Sequence, residues 1–461
     1  MVQVENQSVV IRRHAVSLLI FMFLFSIQLM GQTHSIIGEE LSFRNWAPAP
    51  PMGWNSWDCF GPTVVEDEIK ANADYMSKYL KKFGWQYIVV DIRWYVENDK
   101  SGGYNQKDPV FVMDQYGRLT PALNRFPSAA DGKGFRPLAD YVHSKGLKFG
   151  IHVMRGIPVM AVNQNTQILN TSLKAQDIYS PEGQCRWLRD MYTIVAEKPG
   201  AQDYYKSLFQ MYASWGVDFV KIDDMSGHLD EIALVREAID NCGRPIVLSL
   251  SPGGNKVEDA EFLRNHANMW RTTDDFWDNW RALKHEFEVC SLWASQGIKG
   301  CYPDADMLPL GKIGIRAERG KPRYTGFSKD EQYTLMTLFA IFRSPLMFGG
   351  NLPDNDEFTL SLITNKKVLA VNQNSTNNKQ LSRENDLIVW TADEPLKGYK
   401  YVAFFNASEL PQAEIKVSFE QLGLEGSHTV QDLWTGKNPG KFTGSFTASI
   451  AKHGAGLYLI R

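Results

Sequence analysis

The sequence of 461 residues has little of several features that would narrow its function at once. Its five cysteines include no CxxC pair, its nine histidines are scattered without an HEXXH motif, and no GxSxG motif marks a serine nucleophile. The formal net charge is only -3, so the basic excess typical of nucleic-acid-binding proteins is absent. We therefore expect no metal, no cofactor and no nucleic-acid partner. The cysteines are Cys59, Cys185, Cys242, Cys290 and Cys301.

Only one long hydrophobic run occurs in the sequence. Residues 15–30 (AVSLLIFMFLFSIQLM) follow the basic pair Arg12 and Arg13 and precede small and polar residues. The run is shorter than the ~20 residues that a membrane-spanning helix needs, and the pattern is typical of a secretory signal. We predict a signal peptide over residues 1–32 and an exported protein, periplasmic or extracellular, with no stable membrane insertion after cleavage. Export permits one or two disulfide bonds, although a core of this size does not need them.

Apolar segments alternate with amphipathic segments over most of the chain, in which 44% of the residues are hydrophobic and 12% aromatic. Strand and helix patterns repeat between residues 46 and 373 and predict a (β/α)8 TIM barrel, with a doubly wound sheet as the alternative. Residues 374–461 contain short strand patterns with turn signals, which predict a C-terminal antiparallel β-sandwich domain. Two inserts, 94–119 and 156–173, follow strands and should shape the catalytic end of the barrel. The candidate strands are 50–54, 85–91, 147–153, 216–223, 244–250, 269–274, 297–304 and 344–349.

Acidic side chains lie at the ends of several candidate strands. Side chains alternate along the run GVDFVKIDDM, so Lys221 and Asp223 share a face that can point into the barrel mouth. Asp91 ends a second strand, and Asp304 and Asp306 end a third. A single acid at a strand end is often a helix cap or an ion-pair partner. Several acids at one rim, with cations among them, instead indicate an active site, because barrel enzymes use that rim for catalysis.

A similar set of residues follows Trp270. Arg271, Thr273 and Asp275 are spaced two residues apart, so on a strand their side chains would point to the same face. Two carboxylates, cations and thirteen tryptophans suit glycoside hydrolysis, in which one carboxylate attacks the sugar or activates water. The second carboxylate protonates the leaving oxygen. Tryptophan rings offer an apolar platform to a sugar, although core packing alone explains many tryptophans. The residues therefore favour a carbohydrate as the partner.

Seven motifs occur in a fixed order along the chain: PPMGWNSWDCFG, YIVVDIRWY, YVHSKGLKFGIH, WGVDFVKIDDM, WRTTDDFWDNW, YPDADML and RSPLMFGGNL. Together they resemble glycoside hydrolase family 27, which contains α-galactosidases, α-N-acetylgalactosaminidases and β-L-arabinopyranosidases. The resemblance covers roughly residues 46–460. It implies a barrel followed by a β-domain, and retaining glycosidase chemistry.

The resemblance also implies the catalytic residues. The nucleophile of the family lies in a K-x-D motif, which is Lys221-Ile222-Asp223 here, so Asp223 is the implied nucleophile. The acid/base of the family is the aspartate four residues after the arginine of a W-R motif, which makes Asp275 the implied acid/base. Lys221 and Arg271 inherit contacts with sugar hydroxyls.

Further binding roles follow from the same resemblance. Trp57 matches the tryptophan of the family that contacts the sugar, and Asp91 matches the first acid of a pair that binds the far hydroxyls of galactose. Asp304 and Asp306 match further acids of the rim.

Several positions depart from the pattern of the family. The second acid of the pair is Ile92 here, and because that pair contacts the 4-OH and 6-OH, isoleucine tolerates or favours a sugar without a hydroxymethyl group, such as arabinopyranose. Ser251 and Gly254 stand where the family contacts the 2-position and resemble the pattern that accepts N-acetylgalactosamine. His152 replaces a frequent tyrosine, and both a packed strand residue and a hydroxyl contact remain open for it.

We expect a retaining, exo-acting α-galactosidase that releases terminal α-D-galactosyl residues from oligo- or polysaccharides by double displacement. A β-L-arabinopyranosidase or an α-N-acetylgalactosaminidase is the alternative within the family, and a sugar-binding protein without catalysis is the alternative of another class. Asp223 and Asp275 are the predicted catalytic residues. The predicted substrate-binding residues are Trp57, Asp91, Ile92, His152, Lys221, Ser251, Arg271 and Asp304.

Overall fold

Eight short parallel strands organise the larger part of the structure, a computed structural model that describes residues 41–461. The predicted signal peptide, residues 1–32, lies outside the described residues. Phe43–Arg461 form one compact unit. The strands are β1 (Met52–Asn55), β2 (Tyr87–Val90), β3 (Lys148–Met154), β4 (Phe219–Asp223), β5 (Val247–Leu250), β6 (Met269–Arg271), β7 (Tyr302–Asp304) and β8 (Leu346–Phe348).

The strands pair side by side in the order β7-β6-β5-β4-β3-β2-β1-β8, and every pairing is parallel. The gap between β7 and β8 is bridged just beyond β7, where the amide of Leu308 donates to the carbonyl oxygen of Met347 at 2.7 Å. The sheet therefore curls into a barrel. Nearly all strand residues are buried, because helices cover the outside and side chains fill the inside.

Each connection between successive barrel strands contains a helix. The helices are α1 (Glu66–Tyr75), α2 (Arg136–Ser144), α3 (Ala201–Ser214), α4 (Leu229–Asp240), α5 (Ala260–His266), α6 (Trp280–Trp293), α7 (Lys329–Phe342), α8 (Glu357–Ile363) and α9 (Lys366–Asn374). Helix α7 begins with a capping box, in which the amide of Ser328 donates to Glu331 Oε2 at 2.8 Å and the amide of Glu331 donates to Ser328 Oγ at 3.3 Å. The predicted (β/α)8 barrel is confirmed.

Some strands are shorter than the sequence indicated. The segment 297–304 joins the sheet only at Tyr302, because Gly300 makes a turn with a φ of 86°. Strand β6 ends at Arg271, and the chain then leaves the sheet. The prediction that Arg271 and Asp275 share one face of a strand is therefore wrong, since Asp275 lies on the loop after β6.

The connections after β2 and β3 are long loops at the carboxyl ends of these strands. The connection after β3 contains the short strands Ile157–Pro158, Tyr179–Ser180 and Met191–Ile194 and the short helices Val159–Gln164 and Ala175–Ile178. Arg93 ties the two loops together, because its Nε and Nη2 donate to the carboxylate of Asp190 at 2.7 and 2.6 Å. The hydroxyl of Tyr95 donates to the same carboxylate at 2.8 Å. Both loops are thereby fixed over one end of the barrel.

The C-terminal part is an antiparallel β-domain of two packed sheets. One sheet has the order β9-β10-β11-β16-β13-β14, and the other pairs β12 with β15. Phe404 and Val417, one from each sheet, belong to a common buried cluster. The strands are β9 (Thr376–Glu384), β10 (Leu387–Asp393), β11 (Lys400–Asn406), β12 (Gln412–Ser418), β13 (Ser427–Asp432), β14 (Gly440–Thr443), β15 (Ser445–Ala451) and β16 (Ala455–Ile460).

The barrel and the β-domain share one apolar core. Phe287 of α6 meets Phe405 of β11 edge to face, with ring centroids 4.9 Å apart. The indole Nε1 of Trp434 donates to the hydroxyl of Thr337 on α7 at 2.9 Å. Phe287 and Phe405 belong to the same buried cluster. We therefore expect the two parts to unfold together.

All five cysteines lie in residues 41–461, and all five are free, so the expected disulfide bonds are not found. Burial raises the pKa of Cys185 and that of Cys301 to about 11 each, which keeps these thiols protonated at neutral pH. Residues 41–461 contain no helix with the length and hydropathy to cross a bilayer. The same residues contain no group of three or more His, Cys, Asp or Glu side chains placed to hold a metal ion.

Phe405→Ala should destabilise the barrel and the β-domain alike, because Phe405 is fully buried at their junction. Loss of a buried phenylalanine side chain costs about 3–5 kcal/mol of the free energy of unfolding. Urea unfolding followed by tryptophan fluorescence and by far-UV circular dichroism measures this loss. Leu396→Ala is the matched control, since Leu396 is 87% exposed and its removal should change the free energy of unfolding by less than about 0.5 kcal/mol. Two separate transitions, with only one of them shifted by Phe405→Ala, would contradict the shared core.

Candidate active site

A cleft of about 680 Å³ opens at the carboxyl ends of the barrel strands, the end at which barrel enzymes carry their active sites. Five of the barrel strands, either at their last residues or in the loops that follow them, contribute charged side chains to it. Aromatic side chains from both long loops and from the loop after β6 complete the walls. The charged residues of the lining are Asp58, Asp91, Lys221, Asp223, Arg271, Asp274, Asp275, Asp306, Glu318 and Arg319.

Asp223 is the last residue of β4, and two donors hold its carboxylate. The imidazole Nε2 of His152, on the adjacent strand β3, lies 3.0 Å from Oδ2, and the amide of Asp224 donates to Oδ1 at 3.0 Å. His152 Nδ1 is buried without a hydrogen-bond partner in the described part of the chain, which fits the tautomer with its proton on Nε2. Burial raises the pKa of Asp223, but the hydrogen bond from His152 and the positive charge of Lys221 outweigh burial and lower this pKa to about 2. Asp223 is therefore ionised at neutral pH.

Lys221 and Asp91 form an ion pair in the cleft. Lys221 Nζ lies 3.1 Å from Asp91 Oδ2, which also accepts from the side-chain amide of Asn55 at 2.6 Å. Burial raises the pKa of Asp91, but the charge of Lys221 and its other neighbours outweigh burial and lower it. Burial lowers the pKa of Lys221, and the charges of Asp91 and Asp223 outweigh this and raise it. Both members of the pair therefore stay charged.

Arg271, the last residue of β6, holds two acids with one guanidinium nitrogen. Its Nη2 lies 2.8 Å from Asp306 Oδ2 and 3.4 Å from Asp275 Oδ1. Asp306 Oδ2 also accepts from the amide of Phe276 at 2.8 Å, which fixes the loop that carries Asp275. Asp304 Oδ1 accepts from the amide of Asp306 at 3.0 Å. Burial, only partly offset by the charge of Arg271, raises the pKa of Asp304 to about 7.

The two predicted catalytic acids differ in their exposure. The side chain of Asp275 is 48% exposed at the rim, whereas that of Asp223 is 13% exposed. One carboxylate is thus fixed and ionised, and the other can exchange a proton with solvent or with a ligand. Such a pair can attack an electrophilic carbon from one side and protonate a leaving oxygen from the other.

Aromatic rings form one wall of the cleft. Tyr104 stacks on Trp57 with ring centroids 5.7 Å apart, and Trp187 lies against Tyr104 at 5.8 Å. The guanidinium of Arg93 lies 5.5 Å from the centroid of Tyr104 and joins this wall to the ion pair with Asp190. The wall presents flat apolar surface to the same space that the carboxylates line.

Ile92 gives the charged cleft an apolar patch. Its side chain lines the cleft and is almost fully buried. The backbone amide of Ile92 donates to Asp91 Oδ1 at 2.8 Å. This hydrogen bond fixes the position of Ile92 relative to the ion-paired Asp91. A ligand group that approaches Ile92 finds methyl and methylene carbons in place of a hydrogen-bond partner.

The structure brings most of the predicted residues to this cleft. His152 lies behind Asp223 as its hydrogen-bond partner and is not part of the lining. Ser251 and Asp304 are almost fully buried and border a small adjoining void inside the barrel. The predicted residues in the lining are Trp57, Asp91, Ile92, Lys221, Asp223, Arg271 and Asp275.

Several residues of the lining had no predicted role, among them Asp58, Tyr104, Trp187 and Trp277. Asp58 directly follows Trp57 in the motif GWNSWD, and that position was its only signal. Tyr104 lies in the insert 94–119, which was expected to shape the site. Trp187 lies beyond the predicted insert 156–173, because the loop after β3 continues to α3.

Two family models match the chain. The model for alpha galactosidase A matches residues 187–374, and the model for the alpha galactosidase C-terminal beta sandwich domain matches residues 384–460. The second match falls within the antiparallel β-domain. Together the two models cover more than half of the chain.

Solved structures and sequence relatives agree with these models. A family 27 β-L-arabinopyranosidase from Geobacillus stearothermophilus is 52% identical, with a TM-score of 0.89, over 92% of this chain and 98% of that one, and its variant in complex with arabinose matches at the same identity and TM-score. A candidate α-N-acetylgalactosaminidase from Bacillus halodurans is 45% identical, with a TM-score of 0.81, over 89% of this chain and 97% of that one. An α-galactosidase from Cyamopsis tetragonoloba is 28% identical over 93% of this chain and 90% of its own length. The chain therefore belongs to glycoside hydrolase family 27 and is a glycoside hydrolase.

Proposed function

We propose that the protein is a retaining, exo-acting β-L-arabinopyranosidase. The observation that carries the proposal is Ile92, a buried isoleucine in a cleft in which ten of the twenty lining residues are charged. Ile92 follows Asp91 directly, at the position where the resemblance to the family places a second acid for the far hydroxyls of galactose. The acid that would bind a 6-hydroxyl is thus replaced by hydrocarbon.

The physical argument concerns the hydroxymethyl group of a hexose. L-arabinopyranose has the ring and the hydroxyl arrangement of D-galactopyranose but lacks C6. A 6-hydroxyl placed against Ile92 leaves water without gaining a hydrogen bond, which costs about 1–3 kcal/mol. The pentose presents only a methylene to the isoleucine. We therefore expect a preference for the pentose of about 10- to 100-fold in kcat/KM.

The similarity to known enzymes supports the same sugar. The β-L-arabinopyranosidase from Geobacillus stearothermophilus is far closer in sequence than the α-galactosidases are. Its variant was solved with arabinose bound.

The proposed mechanism is a double displacement. Asp223 attacks the anomeric carbon, and Asp275 protonates the departing glycosidic oxygen, which gives a covalent glycosyl-enzyme and frees the aglycone. Asp275, now ionised, removes a proton from water, and the resulting oxygen nucleophile displaces Asp223 from the anomeric carbon. The configuration at that carbon is retained. The donor from His152 and the charge of Lys221 keep Asp223 ionised for the first attack.

An α-galactosidase, the activity that the sequence favoured, is the second candidate. The family models bear that name, the α-galactosidases match along most of their length, and Asp91 remains in place with its ion-pair partner Lys221. The α-N-acetylgalactosaminidase alternative rested on Ser251, which is 1% exposed and lies outside the lining of the cleft.

A panel of nitrophenyl glycosides tests the choice of sugar. We expect kcat/KM for the β-L-arabinopyranoside to exceed that for the α-D-galactopyranoside by at least about tenfold. Ile92→Asp should reverse this order, because the new carboxylate accepts a hydrogen bond from the 6-hydroxyl. Asp223→Ala serves as the inactive control and should hydrolyse neither substrate. A wild-type preference for the galactoside or for the N-acetylgalactosaminide would overturn the proposed sugar.

Replacement of the imidazole donor should change the pH profile. In His152→Leu, burial of Asp223 is no longer opposed by the histidine, so the pKa of Asp223 should rise. Ionised Asp223 is the active form, and its loss on acidification should therefore begin at a higher pH. The acid limb of kcat/KM should move above about pH 4, and the loss relative to the wild type should grow as the pH falls, to about 10-fold at one pH unit below the new pKa.

His152→Gln is the matched variant, because a glutamine amide can still donate to the carboxylate and should restore part of the wild-type profile. An unchanged acid limb in His152→Leu, with an equal loss at every pH, would show that the histidine acts by packing alone.

We further propose that the protein is exported and acts in the periplasm or outside the cell. The proposal rests on the signal-like residues 1–32. N-terminal sequencing of the mature protein from cell fractions should find a start near Gly31 to Thr33, and a cytoplasmic protein that retains Met1 would contradict it.

A further inference from the structure

Asp58 is a buried carboxyl group in the lining of the cleft that the mechanism does not use. It directly follows Trp57 in the short helix Trp57–Phe60 after β1, and it is 3% exposed. Its Oδ2 has no hydrogen-bond partner among residues 41–461. A buried polar group without a partner is costly, so its presence in a cleft calls for a ligand that satisfies it.

Two other buried aspartates of the cleft contrast with Asp58. Asp91 accepts from Asn55 and pairs with Lys221, and Asp306 pairs with Arg271. For Asp58, burial raises the pKa well above its ordinary value, and the charge of Asp306 raises it further. The carboxyl of Asp58 is thus the unsatisfied member of the set.

The neighbouring backbone leaves room for this carboxyl group. Gly349 follows β8, and a Cβ placed on it would collide with Asp58 Oδ2 and with the carboxyl carbon. Any other residue at position 349 would displace Asp58. The fold therefore leaves space for the carboxyl group, although no donor within residues 41–461 satisfies Oδ2.

The position of Asp58 in the barrel indicates which part of a sugar it faces. In the closed order of the strands, β8 lies opposite β4, which carries Asp223. Asp58 follows β1 and packs against Gly349 just after β8. A pyranose whose anomeric carbon meets Asp223 turns its opposite side toward Asp58.

The positions of Ile92 and Asp275 determine how the sugar ring is rotated about the axis that runs from Asp223 to Asp58. The proposed function places C5 beside Ile92, which follows β2, and the anomeric carbon between Asp223 on β4 and Asp275 after β6. C3 and C4 then face the remaining sector, which β7, β8 and β1 form. Asp58 lies in that sector, together with Asp306.

We propose that Asp58 binds the cis-3,4-diol of the pyranose and is a sugar-binding residue of this enzyme. Its two oxygens can engage two neighbouring hydroxyls at once, because each carboxyl oxygen accepts hydrogen bonds and the protonated one also donates. The proposal rests on the glycosidase function and on the orientation of the ring proposed above. It does not depend on the choice between pentose and hexose, because L-arabinopyranose and D-galactopyranose share this diol.

The diol takes no part in bond cleavage, so its contact should be similar in the ground state and in the transition state. Removal of such a contact raises KM and changes kcat less. In Asp58→Ala we expect KM to rise by about 10- to 100-fold. Asp58→Asn should keep part of the affinity, because an amide can both donate to and accept from a hydroxyl.

Deoxy substrates give the sharpest test. We expect removal of the 3-hydroxyl or the 4-hydroxyl from nitrophenyl β-L-arabinopyranoside to lower kcat/KM of the wild type by at least tenfold. In Asp58→Ala, removal of the hydroxyl that Asp58 binds should lower kcat/KM by less than about threefold, because the contact is already lost. Equal losses in the two proteins for both deoxy substrates would overturn the role of Asp58. The same comparison of wild type and Asp58→Ala with 3-deoxy and 4-deoxy galactosides tests the diol contact in the hexose.

Glu286→Gln is the matched control. Glu286 lies on α6 outside the lining of the cleft, is 1% exposed, and also has an oxygen without a partner in the described residues. Burial raises the pKa of Glu286 to about 8, so at pH 6 glutamate and glutamine are both neutral. We expect the penalty of each deoxy substrate in this variant to equal that of the wild type.

Thermal unfolding separates binding from a structural role. Without sugar, Asp58→Ala should melt no lower than the wild type, because an unsatisfied carboxyl group is removed. Its stabilisation by added L-arabinose or D-galactose should be largely lost. A lower melting temperature with unchanged deoxy penalties would assign Asp58 to packing. A wild type inactive on both glycosides would overturn the proposed function, whereas normal KM values in Asp58→Ala would overturn only this inference.

Discussion

The positive charge of Lys221 is the feature on which the cleft depends. Lys221 lies at the end of an apolar parallel strand, where a lone charge would be costly to bury. Its ion pair with Asp91 and its proximity to Asp223 allow three charges to lie together in one buried region, where each stabilises the others of opposite sign. Where this positive charge and the His152 donor act, the pKa values of the acids fall. Where burial prevails, as at Asp304, the pKa rises.

This uneven field gives chemically different roles to identical side chains. An acid with a lowered pKa serves as a nucleophile, because it stays ionised without solvent. An acid with a raised pKa stays protonated over more of the pH range and can donate to a hydroxyl as well as accept from one. Asp223 is of the first kind and Asp58 of the second, and both line the same cleft.

The scaffold divides its work between strands and loops. The nucleophile ends a strand and is held by the adjacent strand through His152, so its position is as rigid as the barrel. The proposed acid/base sits on a loop that Asp306 fixes through the amide of Phe276. That loop position leaves Asp275 open to solvent, as a group that exchanges a proton with water in each cycle requires.

Much of the fold could be predicted from the sequence, because parallel strands are nearly all apolar and each precedes an amphipathic helix. Strand ends were less accurate, since glycine turns such as that at Gly300 are decided by packing beyond the local pattern. The argument from alternating strand faces located Asp223, which lies on a strand, but gave the wrong reason for Asp275, which does not.

Other parts of the site could not be predicted from the sequence. The aromatic wall of Trp57, Tyr104 and Trp187 joins three segments far apart in the chain, and no local pattern indicates such contacts. The hydrogen bond from His152 to Asp223 likewise depends on the register between β3 and β4. For Asp58, the informative property is that its Oδ2 lacks a hydrogen-bond partner in the described part of the chain, and only the packed structure shows it.

In the orientation we propose, the cleft separates what two sugars share from what distinguishes them. Asp58 faces the diol that the pentose and the hexose have in common, and Ile92 faces C5, the only ring carbon at which they differ. The catalytic acids contact neither position. A change at Ile92 can therefore alter the preferred sugar without disturbing the charges that activate Asp223. Such a separation explains how one barrel serves arabinopyranosidases and galactosidases in a single family: the buried ion pairs are costly to rebuild, whereas the patch beside C5 is a single side chain.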